Sequence, residues 1–389
     1  MKSFTETKYI LKKRLLIYGL LVIVLFAMGC SETRHLMRYD MPEQDLIWPV
    51  LPDKPRYQLV GYLTGEDNFQ EVEGSGPGAS IGRFFKALVG LGSENERVRT
   101  LLRPQSGTVD DQGRVIVTDA GRQSVFVFDE KQGKMSIWTG ATEEFNFVSP
   151  VGIDIAKNGD VLVADAELRR VIRLDSQGNP KSEFGFDDLE RPTGLAIDKI
   201  SGRIFVSDTG ENNLKVYDDN GTLIQVIGQV GIKKGEFNAP THISFKNGKL
   251  YVTDTFNARI QVFDSKGIFL QSIGSRGLYM GNLVRPKGVA ADSQGNVYII
   301  ESFHDYLLVY DQDRRFLMPI GGTGSGAGQF YLPAGAWSDQ EDRIYVADMY
   351  NRRVAIFQYL QGSGRKGSGL TRLQEANTPI EASAQTDVK

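Results

Sequence analysis

From Pro104 onward the chain is built of short runs of β-branched and aromatic residues that alternate apolar and polar positions. The stretch Lys249–Asp254, Arg259–Asp264 and Ile268–Gly274 is representative. Leu250, Val252, Ile260, Val262 and Phe269 fall at alternate positions within their runs, the period of strands with one buried face. The pairs Asn247-Gly248, Asn257-Ala258 and Lys266-Gly267 punctuate the runs as turns. With the preceding run from Pro240, this makes four short strands. No part of the unit sustains an apolar 3.6-residue period, which argues against a helical solenoid.

The unit recurs. Pro104, Pro150, Pro192, Pro240, Pro286 and Pro333 open successive copies at intervals of 42 to 48 residues. Each second strand ends in an acid: Asp119, Asp165, Asp208, Asp254, Glu301 and Asp348. Two markers with one period define a repeat architecture. Four antiparallel strands repeated radially predict an all-β, six-bladed β-propeller. A β-solenoid coil is shorter than this, and a sandwich has no reason to repeat its sequence.

The sixth copy lacks a fourth strand, because Arg353–Phe357 runs on into Gln361-Gly-Ser-Gly. An orphan strand, Arg56–Leu63, precedes the first copy. Its ending, Gly61-Tyr-Leu-Thr-Gly65, is like other fourth strands, so the last blade is expected to be closed from the N-terminal side. That pairing removes exposed edges.

Three runs, Pro192-Thr-Gly-Leu-Ala-Ile-Asp198, Tyr345-Val-Ala-Asp348 and Arg259-Ile-Gln-Val-Phe-Asp264, resemble NHL repeats, a class of six-bladed propeller. The resemblance covers about residues 55 to 360. Ile47-Trp-Pro-Val-Leu-Pro-Asp53 is similar to the opening of bacterial lipoprotein-type propellers.

The N-terminus places Lys8, Lys12, Lys13 and Arg14 before the apolar run Leu15–Gly29, followed by Cys30, the single cysteine. Basic residues and a short apolar run read as an export signal, and the run is short for a spanning helix. The segment resembles a lipobox, although Ala27 and Met28 depart from its usual pattern. The resemblance implies lipidation at Cys30 and, with Ser31 following, outer-membrane sorting. The expected organisation is a signal peptide over 1–29, a tether over 30–46, a propeller over 47–360 and a disordered tail over 361–389. An insertion at 66–103 carries Ile81, Phe84, Phe85, Leu88 and Val89 at helical spacing. A short amphipathic helix is expected there, either capping the propeller or docking a partner.

Net charge is −3, so no nucleic-acid footprint is indicated. The candidate chemistry lies where the repeat breaks. Two residues after the opening proline, four copies have glycine and the fourth has His242. The fifth copy replaces the recurrent Asp with Glu301, followed by His304. A His–Glu–His metal set is conceivable, but spacing does not show convergence, and no metal or other cofactor is expected. The resemblance brings amidating lyases to mind, which use more histidines than the three present here. No nucleophile elbow is found, and no catalytic residue is assigned. The acids are expected to cap the turns that follow them. Arg122, Arg170, Arg259 and Arg352 form a band broken at Tyr306, either paired with those acids or free as a docking face.

The expected function is a non-catalytic, lipid-anchored binding scaffold. It would act as a monomer in the cell envelope, facing the periplasm or exterior, on a protein or glycan partner. The alternatives are a metal-dependent hydrolase or lyase at the channel mouth and an anionic-ligand sensor or electron-transfer accessory.

Overall fold

The computed structural model describes residues 35–42, 45–71 and 99–360. The export signal with Cys30, the helix expected over Ile81–Val89 and the C-terminal tail lie outside the described residues.

The six copies form six antiparallel sheets. In blade one the strands are Pro104–Val109, Val115–Asp119, Ser124–Asp129 and Lys134–Trp138. Blades two to five open with Pro150–Ile155, Pro192–Asp198, Pro240–Lys246 and Pro286–Ala291, and each contributes four strands in sequence order. These opening strands are the inner ones, each packed against the inner strands of the blades on either side around a closed ring.

The N-terminal strand Tyr57–Leu63 pairs with Arg353–Tyr359 and completes blade six, as the unfinished last repeat predicts. Its register sets Leu63 opposite Val354 and Tyr57 opposite Tyr359. Ile47–Trp48 then adds a fifth strand outside it. That strand is too short to show as a pattern in the sequence, and Trp48 fixes it by packing edge-on against Phe357 at 5.7 Å. His35–Met37 and Phe69–Glu71 pair as a two-stranded sheet of their own.

The core is divided among the blade interfaces. Each pair of neighbouring blades encloses its own apolar cluster, including the pair that closes the ring, where Leu63, Val354 and Ile356 of blade six meet Val117 and Phe126 of blade one. Both faces of each blade are buried in this way, so its middle strands are apolar at nearly every position. The single buried face expected from Leu250 and Val252 is overturned: Tyr251 and Thr253, between and beside them, are buried too. The inner strands sit especially close. At Gly194 a β-carbon would collide with the backbone of Thr241 and Ile243 in the next blade, and at Gly335 with the carbonyl of Gln105. Glycine after the opening proline is therefore a packing requirement of the ring.

Candidate functional site at the channel mouth

In blades one to five the inner strand departs from regular pairing just after its proline. The irregularities place Gln105, Val151, Thr193, Thr241 with His242, and Lys287 with Gly288 out of ladder register. Such bulges redirect side chains at the ends of strands. Here the residues immediately after the prolines, Gln105, Val151, Thr193, Thr241 and Lys287, line one cavity of about 630 Å³ at the mouth of the channel. Arg103, Arg191 and Glu167 contribute to its wall from the loops above.

His242 lies in this cavity and is 4% exposed. Its Nε2 is 3.2 Å from the carbonyl oxygen of Gln105 in blade one, which faces blade four across the ring. A carbonyl only accepts, so Nε2 carries the proton and the ring is bound in one tautomer. Burial, reinforced by the charge of Lys287, pulls the imidazole down to about 4. The single large side chain at a position otherwise held by glycine or serine thus bridges the channel as a neutral ring.

Lys287 is the unforeseen member of the site. Burial, with Arg285 as a like-charged neighbour, pulls its amine down to about 8. Two threonine pairs stiffen the wall beside it: Thr241 Oγ1 lies 2.9 Å from Thr255 Oγ1, and Thr193 Oγ1 lies 2.6 Å from Thr209 Oγ1. Thr241 Oγ1 also donates to the Lys287 carbonyl at 3.2 Å. A signal for Lys287 was present in the sequence. Among the residues following the six prolines, it alone is charged.

His242 and the Glu301–His304 pair are not brought together. Glu301 and His304 line a separate cavity of about 160 Å³ with Tyr306 and Tyr279. There His304 Nδ1 contacts Glu301 Oε2 at 2.8 Å, and the Glu301 carboxylate also accepts the backbone amides of Arg285 and His304. Among the described residues no three His, Cys, Asp or Glu side chains cluster closely enough to hold a metal ion.

The recurrent acids do more than cap the turns that follow them. Asp208 accepts the amides of Gly210 and Glu211 in its own turn, and those of Glu190 and Arg191 just before the blade's opening proline. Asp165 does the same with Val148, Ser149, Glu167 and Leu168. Asp119 holds Leu102, Arg103 and Arg122. Each carboxylate thus clamps the incoming linker to the second strand, satisfying loop amides that would otherwise be buried unpaired.

The band of arginines is divided. Arg259 donates to Asp254 at 2.7 Å and to the carbonyls of Lys233 and Glu236. Arg170 donates to Glu183 at 2.6 Å and stacks over Phe186. These two hold their own blades together. Arg122 and Arg352 are exposed, although the Arg122 guanidinium still reaches the Thr100 carbonyl.

The linkers and second turns on the same face carry large exposed apolar side chains, among them Phe145, Phe186, Phe256, Leu278, Tyr279 and Phe303. Leu278 and Tyr279 are 81% and 87% exposed, well beyond what a buried-core role would leave.

These features define a propeller whose channel is bridged by His242 below a polar, arginine-bearing mouth, with exposed apolar side chains on the linkers and second turns of the same face. A protein-family profile described as a 6-bladed beta-propeller matches residues 233–314. The chain is similar to the E3 ubiquitin-protein ligase NHLRC1 of Mus musculus, at 31% identity over 162 residues, covering 36% of this chain and 36% of that protein. It is also similar to NHL-repeat-containing protein 4 of Homo sapiens, at 35% identity over 85 residues, covering 22% of this chain and 64% of that one. It thus spans less than two thirds of either relative. Among solved structures it resembles an auxiliary nutrient binding protein from Bacteroides thetaiotaomicron, with a TM-score of 0.53 and 13% identity, covering 67% of this chain and 70% of that one. The chain is a six-bladed β-propeller with NHL-repeat relatives.

Proposed function

We propose that the protein is a non-catalytic binding scaffold of the cell envelope, held to a membrane by a lipid on Cys30, with the mouth face as its binding surface. It acts as a monomer on a protein or glycan partner and does not bind nucleic acid. The observation that carries this reading is the set of exposed aromatic and aliphatic side chains on the linkers and second turns of this face, with Leu278 and Tyr279 lining a cavity of their own beside Tyr306. Exposed apolar side chains gathered on one face are a mark of interaction sites, and aromatic residues are enriched at interfaces. The fold it shares with an auxiliary nutrient binding protein accords with a ligand-binding role. A metal-dependent reaction through His242 would need partners that the Glu301–His304 pair, in its own cavity, does not supply.

The test is site-specific photocrosslinking in intact cells. A crosslinker at Tyr279 should capture a defined species, while one at Ile200, exposed in a first-to-second strand turn at the other end of the blade, should not. Equal capture at both positions would overturn the assignment of the face.

A further inference from the structure

The mouth holds three cations, Arg103, Arg191 and Lys287, against one carboxylate, Glu167. Glu167 is spent on Arg191, 3.3 Å away. Lys287, partly buried just after the opening proline of blade five, pairs with no carboxylate among the described residues; Arg285 is its like-charged neighbour, and Arg103 and Arg191 line the same cavity. A desolvated cation that lacks a counter-ion is costly to keep, and such a group in a cleft is the mark of a site completed by a ligand. The cavity volume falls within the roughly 300–1,000 Å³ range of small-molecule sites.

The kind of anion follows from which donors remain. Phosphate sites draw on backbone amides gathered into a nest or a helix start. Here those amides are taken: Leu102 and Arg103 by Asp119, Val148 and Ser149 by Asp165, and Glu190 and Arg191 by Asp208. The same buried carboxylates stand just behind the rim and disfavour a second negative charge. Side-chain cations are what remains, and they suit a monoanion with two acceptor oxygens.

We propose that the channel mouth binds the carboxylate of a small organic acid, with Lys287 as its inner counter-ion and Arg103 at its rim. The site deepens the binding role assigned to this face and rests on it for its use in the cell. Val151 offers the apolar part of the wall, and His242, hydrogen-bonded across the ring to the Gln105 carbonyl, lies beside it in the same cavity.

The full-length protein is titrated calorimetrically with D-glucuronate, D-glucose and inorganic phosphate. Glucuronate should bind saturably, and glucose and phosphate at least about tenfold more weakly. Lys287→Met should weaken glucuronate binding by about tenfold or more, and Arg103→Gln by several-fold. Glucuronate binding no tighter than glucose, phosphate binding as tight as glucuronate, or Lys287→Met without effect would each overturn the proposal. Should Lys287→Met fail to fold, the wild-type protein decides. Its Lys287 amine, followed by ¹³C NMR at Cε, should titrate at higher pH when glucuronate is present, and an unmoved midpoint overturns the proposal. Crosslinking at Tyr279 reads partner docking separately, so either reading can fail alone.

Discussion

His242 Nε2 donates to the carbonyl oxygen of Gln105 over 3.2 Å, tying blade four to blade one across the centre of the ring. Neighbouring inner strands already meet backbone to backbone, and this hydrogen bond joins blades that are not neighbours. His242→Gly would restore the repeat's usual residue, empty the space and leave a carbonyl unpaired. The expected cost is about 2–4 kcal/mol, read from chemical denaturation. A loss below about 0.5 kcal/mol would show that the bridge does not contribute to stability.

The same residue makes stability pH-dependent. The folded imidazole titrates at about 4, below its ordinary 6.5, so the unfolded chain takes up the proton first as pH falls. Stability is complete above about pH 6.5 and is lost as pH falls through 4, by on the order of 3 kcal/mol. His242→Gln should flatten the denaturation midpoint against pH in that window. An unchanged slope would place the acid sensitivity elsewhere.

Lys287 should cost stability. Its folded amine is held at about 8, below its ordinary 10.5. Unfolding therefore favours the charged form, and stability rises as pH climbs from 8 towards 10.5. At neutral pH Lys287→Met should raise stability by roughly 1–3 kcal/mol. A melting temperature that falls in this variant would contradict the reading of Lys287 as an unpaired cation.

The linker clamps should be among the most sensitive polar sites. Asp208 is fully buried and accepts four backbone amides, from Glu190, Arg191, Gly210 and Glu211. Asp208→Ala strands those donors, for an expected loss of about 3–5 kcal/mol. Proteolysis should then begin in the linker before Pro192, where hydrogen exchange would also rise first.

Ring closure can be tested at Leu59, which is 2% exposed in the cluster between blades five and six and sits opposite Phe357. Leu59→Asp buries an unpaired charge at the seam and should cost at least about 3 kcal/mol. A cooperative transition at the wild-type midpoint would mean that the N-terminal strand does not hold the ring shut.

Much of the architecture was legible because a repeat writes the same physical demand six times. The prolines, the terminal acids and the turn residues each reported a local requirement, and the missing fourth strand after Phe357 announced the partner at Tyr57–Leu63. The one-faced alternation read at Leu250 and Val252 did not hold, because neighbouring blades bury both faces of that strand. The site was less legible. His242 and Glu301 both break the pattern, yet only His242 faces the mouth, while Glu301 remains a linker clamp that also holds His304. Arg259 stands five residues after its acid and pairs with Asp254, as Arg353 does with Asp348, whereas Arg122 lies three after its acid in the turn and is exposed.

The sequence by itself determined the blades, their number and how the ring closes, because strand alternation and turn chemistry act between residues close along the chain. Only the tertiary structure decided what the channel does. The bulges after the prolines turn Gln105, Val151, Thr193, Thr241 and Lys287 into one cavity, and His242 meets Gln105 from 137 positions away. Burial of Lys287 and His242, and hence their shifted protonation, depends on all six blades packing around them, which no local pattern encodes.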